Sequence, residues 1–196
     1  SYATELLQEE QLDAKQQRLL QIVLDNTQRI NHIVQDVMQL NRRDRAQPEV
    51  FDLQVMLSSF IEEFGLAERL APGVMMLAGI PGVEVSFDRD HLRQVLWNLC
   101  RNALRHGRKL PGSLKLTVRM GNKSAILDVQ DDGPGISVEQ QSKLFEPFFT
   151  TASDGTGLGL YIAKELCEAN GALLEYHAVE GQTGACFSIT FGETHR

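Results

Sequence analysis

The chain has 196 residues, 42% apolar and 23% charged, with a net charge of −7. These values fit one soluble domain, with or without a small appendage, and exclude a wholly disordered chain. Three widely spaced cysteines (Cys100, Cys167, Cys186) exclude a disulfide scaffold, and the acidic balance argues against direct nucleic-acid binding.

Residues 1–46 contain neither Gly nor Pro. Apolar positions Leu19, Val23, Ile30, Ile33, Val37 and Leu40, with Asn26 in the gap, repeat at four and three residues, a heptad seam. Leu20, Leu24, Val34 and Met38 add a second stripe, which suits a helical bundle; a single helix docked on the rest of the chain is the alternative. Asp13 is the expected N-cap, and Ala3, Leu6 and Leu7 read as the end of an earlier helix. Pro48 breaks the pattern, so residues 47–52 read as a linker. Beyond it the periods predict helices over 53–64, 90–106 and 158–168. Strands are expected over 74–77, 83–87, 114–118, 125–129 and 187–191, and near 173–176. The predicted class is α+β, with helices on one face of a mostly antiparallel sheet.

Four segments carry chemistry. On the helix 90–106, Leu92, Val95, Leu96, Leu99 and Ala103 form an apolar face, while Asn98, Asn102 and Arg105 share a stripe beside it. That stripe is either a solvated face or a ligand-facing one, on which an Asn carbonyl suits Mg²⁺ and Arg105 suits phosphate. Asp131-Asp132-Gly133-Pro134-Gly135 follows a strand. It is a plain turn or a carboxylate at a pocket mouth, able to accept from the exocyclic amine of adenine. Gly155-Thr156-Gly157-Leu158-Gly159-Leu160 opens a helix, where backbone N–H groups attract phosphate. It is neither a Walker A loop nor a dinucleotide fingerprint. Between the last two, KLFEPFFTT (143–151) is either a loop pinned by aromatic packing or a hinged lid.

In this order the four segments resemble the N box (98–106), first glycine box (131–135), F box (144–149) and second glycine box (155–160) of bacterial sensor histidine kinases. The resemblance covers about residues 50–192. Residues 1–47 resemble the dimerisation and phosphotransfer hairpin of the same kinases, which puts the ATP-binding catalytic domain at 48–196. The runs FEPFFTT and GTGLGLYIAKELCEANG are most similar to kinases that partner NtrC-type response regulators, in the PilS-like, pilin-regulating branch.

The resemblance implies a Bergerat-type (GHKL) two-layer α/β sandwich, with a mostly antiparallel mixed sheet and a helical hairpin segment before it. It implies ATP and Mg²⁺ as ligands. Asn102 would hold the metal, with Asn98 beside it at the phosphates. Arg105 would contact phosphate, His106 the ribose or base, and Asp131 the adenine amine. Gly133, Gly135, Ile136 and Phe149 would shape the pocket, Thr156, Gly157, Leu158, Gly159 and Leu160 would hold the phosphates, and about 135–157 would be the ATP lid. The implied partners are a response-regulator receiver domain and, through the hairpin, a second copy; the implied location is cytoplasmic.

Two departures stand out. None of His32, His91, His106, His177 or His195 lies in the His-Glu-x-x-Asn-Pro context of the phospho-accepting histidine. The chain is therefore expected to be a piece that starts just after that site, binding ATP without autophosphorylating. Ala152 follows Thr151 where similar kinases often carry Lys. Gyrase-, MutL- and Hsp90-type hydrolases share the pattern but carry a Glu where this chain has Asn98, so hydrolysis is disfavoured. A nucleotide-sensing or dimerisation module without turnover is the third reading.

Overall fold

The computed structural model describes residues 13–40, 46–152, 155–178 and 183–192; the expected helix end near Ala3 to Leu7 and His195 lie outside them. Helix α1 (Ala14–Leu40) starts at a reciprocal cap. Asp13 Oδ1 accepts from the Gln16 amide at 2.8 Å, and Gln16 Oε1 accepts from the Asp13 amide at 2.9 Å. Several apolar seam positions face outward, with Leu19 at 54% exposure and Ile30 at 60%. Among the described residues Leu19, Val23 and Ile30 are left uncovered, although α1 approaches α5 elsewhere.

The stretch read as a linker contains a strand instead. β1 (Glu49–Asp52) pairs antiparallel with β3 (Glu84–Phe87), Phe51 opposite Val85. Phe51 is buried, and the Arg89 guanidinium lies 4.4 Å over its ring. Asp52 then caps α2 (Leu53–Ala67), its side chain accepting from the Val55 amide at 3.0 Å. Leu53, Met56, Leu57, Phe60 and Phe64, one stripe of a 3.6-residue period, are the buried residues of that helix. Asp52→Ala is expected to cost about 1 kcal/mol and lower Tm by ~2–4 °C. An unchanged thermal melt would contradict the cap's role.

The main sheet runs β2-β4-β5-β7-β6. It comprises β2 (Met75–Gly79), β4 (Leu114–Met120), β5 (Ala125–Asp131), β6 (Leu173–Ala178) and β7 (Ala185–Thr190). β2 and β4 are parallel; the other pairs are antiparallel. Alternate residues Leu114, Leu116 and Val118 of β4, and Leu127 and Val129 of β5, are buried. Helices α2, α3 (Arg89–His106) and α5 (Gly159–Ala169) pack over this face. The result is the expected two-layer sandwich. Four of the six strands run two residues past their predicted C-terminal ends, and α4 (Val138–Gln141) is an unpredicted short helix in the segment between β5 and α5.

The core closes with aromatic pairs. Trp97 of α3 meets Phe64 edge-on at 4.7 Å and Phe60 at 6.2 Å, and Arg101 lies 5.0 Å over the Trp97 ring. All three cysteines are free, and burial pushes the Cys167 thiol up to about 12, with the Glu168 charge adding to the effect. That thiol is chemically quiet.

Candidate nucleotide-binding site

A cavity of about 880 Å³ lies between α3, the start of α5 and the segment joining β5 to α5. α3 is aimed by Asp88, whose Oδ1 accepts from the Asp90 and His91 amides at 2.9 and 3.1 Å. With Leu92, Val95, Leu96 and Leu99 buried beneath, the adjacent stripe of Asn98, Asn102 and Arg105 lines the cavity, as does His106. Among the described residues the Asn98 side-chain nitrogen is buried without a hydrogen-bond partner. A buried orphan donor is costly unless an acceptor arrives.

Asp131 ends β5 and is 5% exposed. Its Oδ1 accepts from the Gly133 amide at 2.8 Å and the Ala185 amide at 3.1 Å. Two donors fix the carboxylate, which also lines the cavity. Burial raises its pKa above the usual carboxylate range, although both amides pull the other way. Gly184 makes this approach possible: with φ +134°, a Cβ there would lie 2.1 Å from the Asp131 carbonyl oxygen. Asp132 points elsewhere, accepting from the Arg108 amide at 2.9 Å and the Ser113 hydroxyl at 3.0 Å, and so braces the α3–β4 connection.

The glycine-rich loop brings the aromatic segment and α5 together. Gly157 has φ +71°, and a Cβ there would fall 2.4 Å from the Phe148 carbonyl carbon. The Phe148 amide donates to the Gly157 carbonyl at 3.0 Å. A Cβ on Gly159 would be 3.7 Å from Asn98 Oδ1, so the first turn of α5 faces the α3 amide stripe. The three phenylalanines of the aromatic segment behave differently. Phe145 packs edge-on to Phe187 at 6.4 Å and anchors the segment, Phe149 lines the cavity, and Phe148 is 67% exposed with φ +67°.

Of the expected site residues, Asn98, Asn102, Arg105, His106, Asp131, Gly135, Ile136, Phe149, Thr156, Gly157, Gly159 and Leu160 line the cavity. Two do not. Leu158 is buried in the core, and Gly133 is packed against the His106 carbonyl, where its amide serves Asp131. Sequence reasoning missed Asp90, Gln94 and Trp97, which continue the lining upstream of Asn98 along α3, and Arg101 between Asn98 and Asn102. Two four-residue steps back from Asn98 find Gln94 and Asp90. Ala185 had no local signal, because it reaches Asp131 across the sheet.

A helical layer over a mixed sheet, with a cavity between two helices and the segment joining β5 to α5, defines a Bergerat-type domain. The chain belongs to the family described as "Histidine kinase-, DNA gyrase B-, and HSP90-like ATPase", which matches residues 87–195. The His Kinase A (phospho-acceptor) domain matches residues 1–46. Sensor protein kinase PilS of Pseudomonas aeruginosa is 41% identical over 204 residues, covering 100% of this chain and 38% of PilS. Sporulation kinase D of Bacillus subtilis is 31% identical over 191 residues, covering 95% of this chain and 37% of that protein. Among solved structures, Acinetobacter baumannii histidine kinase AdeS matches with TM-score 0.68 at 25% identity, covering 95% of this chain and 88% of that one. The catalytic domain of histidine kinase ThkA matches with TM-score 0.64 at 27% identity, covering 76% of this chain and 97% of that one. The chain thus spans little more than a third of the curated relatives it matches.

Proposed function

We propose that this chain is the ATP-binding catalytic core of a sensor protein-histidine kinase, with residues 48–196 forming the catalytic domain and 1–47 belonging to the phosphotransfer hairpin. The observation that carries the reading is the cavity wall, where the amides Asn98 and Asn102, the cation Arg105 and the glycine-rich start of α5 converge. The orphan Asn98 nitrogen is a donor suited to a phosphate oxygen. Among the described residues no cluster of three His, Cys, Asp or Glu can hold a metal. That fits Mg²⁺, which commonly uses one or two protein oxygens together with phosphates and water. Asn102 would hold it, and the bound ion would supply charge neutralisation at the phosphates.

The protein's own groups do the rest. Asp131 accepts from the adenine amine, His106 lies at the ribose or base, Arg105 pairs with phosphate, and the backbone amides from Thr156 to Gly159 cradle it. The lid, hinged at Gly157 and anchored by Phe145, excludes water from the transferring phosphoryl. An imidazole on the hairpin of the longer protein attacks in line, and catalysis rests mainly on positioning. The phosphoryl then passes to an Asp on a receiver domain, of NtrC type on the resemblance of the FEPFFTT and GTGLGLYIAKELCEANG runs. The exposed seam of Leu19, Val23 and Ile30 is the surface through which a second copy completes the hairpin bundle. Among the described residues no helix is long and apolar enough to cross a membrane. We place this part of the protein in the cytoplasm, where ATP is.

Hydrolysis in place of transfer is disfavoured, because the Asn98 amide cannot take a proton from water at neutral pH. The reading is tested by titrating the chain with ATP and Mg²⁺ in a calorimeter, then adding a separate fragment that bears the phosphorylation site. Saturable binding and label transfer to histidine are expected. An absence of binding overturns the nucleotide site, whereas binding without transfer favours a sensing module.

A further inference from the structure

Gln47, just before β1, is held by a hydrogen-bonded chain that leads back to both cavity helices. Asp88 divides its two oxygens: Oδ1 caps α3, while Oδ2 accepts from the Gln47 amide at 2.8 Å. Its backbone amide donates to Asn170 Oδ1 at 2.8 Å. Asn170 is the C-cap of α5, and its Nδ2 donates both to the Leu166 carbonyl at 2.8 Å and to His91 Nδ1 at 3.0 Å. Those bonds set the Asn170 amide beside the buried His91 ring. Burial pushes the Asp88 carboxyl up, but the amides of Gln47 and His91, the His91 charge and the Asp90 amide together outweigh it and lower its pKa. It stays ionised and able to accept.

The placement has a consequence. α5 begins at the cavity with Gly159 and ends at Asn170; its 11 residues make a rod of about 16 Å. α3 meets the same junction at Asp88 and the cavity at Asn98 and Asn102. We propose that Asp88 and Asn170 form a latch through which occupancy of the cavity is transmitted to Gln47, at the edge of the unit that holds the cavity. Both are positioning residues; neither lines the cavity. A nucleotide bridging the orphan Asn98 amide and the first turn of α5 ties the two helices together at one end, which makes opening of their shared junction at the other end rarer. This inference rests on the nucleotide reading of the cavity.

The test is amide hydrogen exchange at Gln47 in the whole chain, with and without Mg²⁺-ADP, alongside calorimetry on the same samples. In the wild type, ADP at ten times its Kd is expected to slow exchange by up to about tenfold, the mass-action limit if opening excludes ligand. Asp88→Asn keeps a side-chain oxygen for the α3 cap, where Asn serves as well as Asp, but turns the Gln47 acceptor into a donor. Its Gln47 amide should exchange fast whether or not ADP is present, with ADP affinity retained. Asn170→Ala should leave Gln47 partly protected but deaf to ADP; if it fails to fold, Asp88→Asn carries the test. ADP binding with no change at Gln47 in the wild type, or a wild-type response in Asp88→Asn, overturns the latch alone. No ADP binding at all overturns the nucleotide reading and the latch with it.

Discussion

Asn102→Ala is expected to weaken Mg²⁺-ATP binding by about a hundredfold, the equivalent of ~3 kcal/mol. The size of the effect follows from the poverty of the site in acidic ligands. No carboxylate cluster among the described residues can take over the cation, and the nearest amide on the stripe, Asn98, stands a full helical turn away. The Asn102 side chain lies beyond the core stripe, so its loss should leave the thermal melt within about 0.5 kcal/mol of wild type, as at other non-core positions. Calorimetry in EDTA supplies the internal control: the wild type stripped of Mg²⁺ should bind as poorly as the variant does with it. A variant that binds within a factor of about three of wild type removes Asn102 from the metal site.

Asp131→Asn should separate recognition from stability. The Asn oxygen can still accept from Gly133 and Ala185, so the local fold is kept. The outward oxygen, however, becomes an NH₂ group, which on the proposed reading would meet the adenine amine donor against donor. Losing a charge-assisted bond of about 1.5–3 kcal/mol predicts a fall in ATP affinity of ~10–100-fold. Stability should move the other way. The folded carboxyl titrates above its unfolded value of 3.8 because burial penalises its charge. Its contribution to folding is therefore fully present below the unfolded value and is lost as pH rises through the folded one. At neutral pH the neutral amide escapes that penalty, and the ligand-free variant should melt at or above the wild-type temperature. Wild-type ATP affinity should conversely decline as pH falls through the raised Asp131 value. A variant that loses stability together with binding, or an affinity flat across that acid range, would contradict this role.

The parts of the molecule legible in the sequence are those whose signals are local. The period of α3 and the chemistry of its Asn98–Asn102–Arg105 stripe come from one helix turn repeating, so both could be read before the fold was known. The position of Asp131 at a strand end was equally local. β1 was not legible because its reason for being a strand is β3, some 35 residues away, and Pro48 beside it argues for a break. The Ala185 amide on Asp131 depends on β5 and β7 lying side by side, and the division of labour between Asp131 and Asp132 depends on where Ser113 falls. The phenylalanines of the lid looked alike as a cluster. Only the packing of Phe145 on Phe187, and the outward turn of Phe148, separates anchor from surface.

Trp97 is the single tryptophan of the chain, and it stands on the cavity wall between the Phe60–Phe64 pair and Arg101. The protein thus contains its own optical probe. All indole emission arises at one spot, where the apolar core meets the mouth of the cavity and a guanidinium covers the ring. A polyanion that draws Arg101 away, or a lid that folds over it, changes the colour and intensity of that emission without any dye or label.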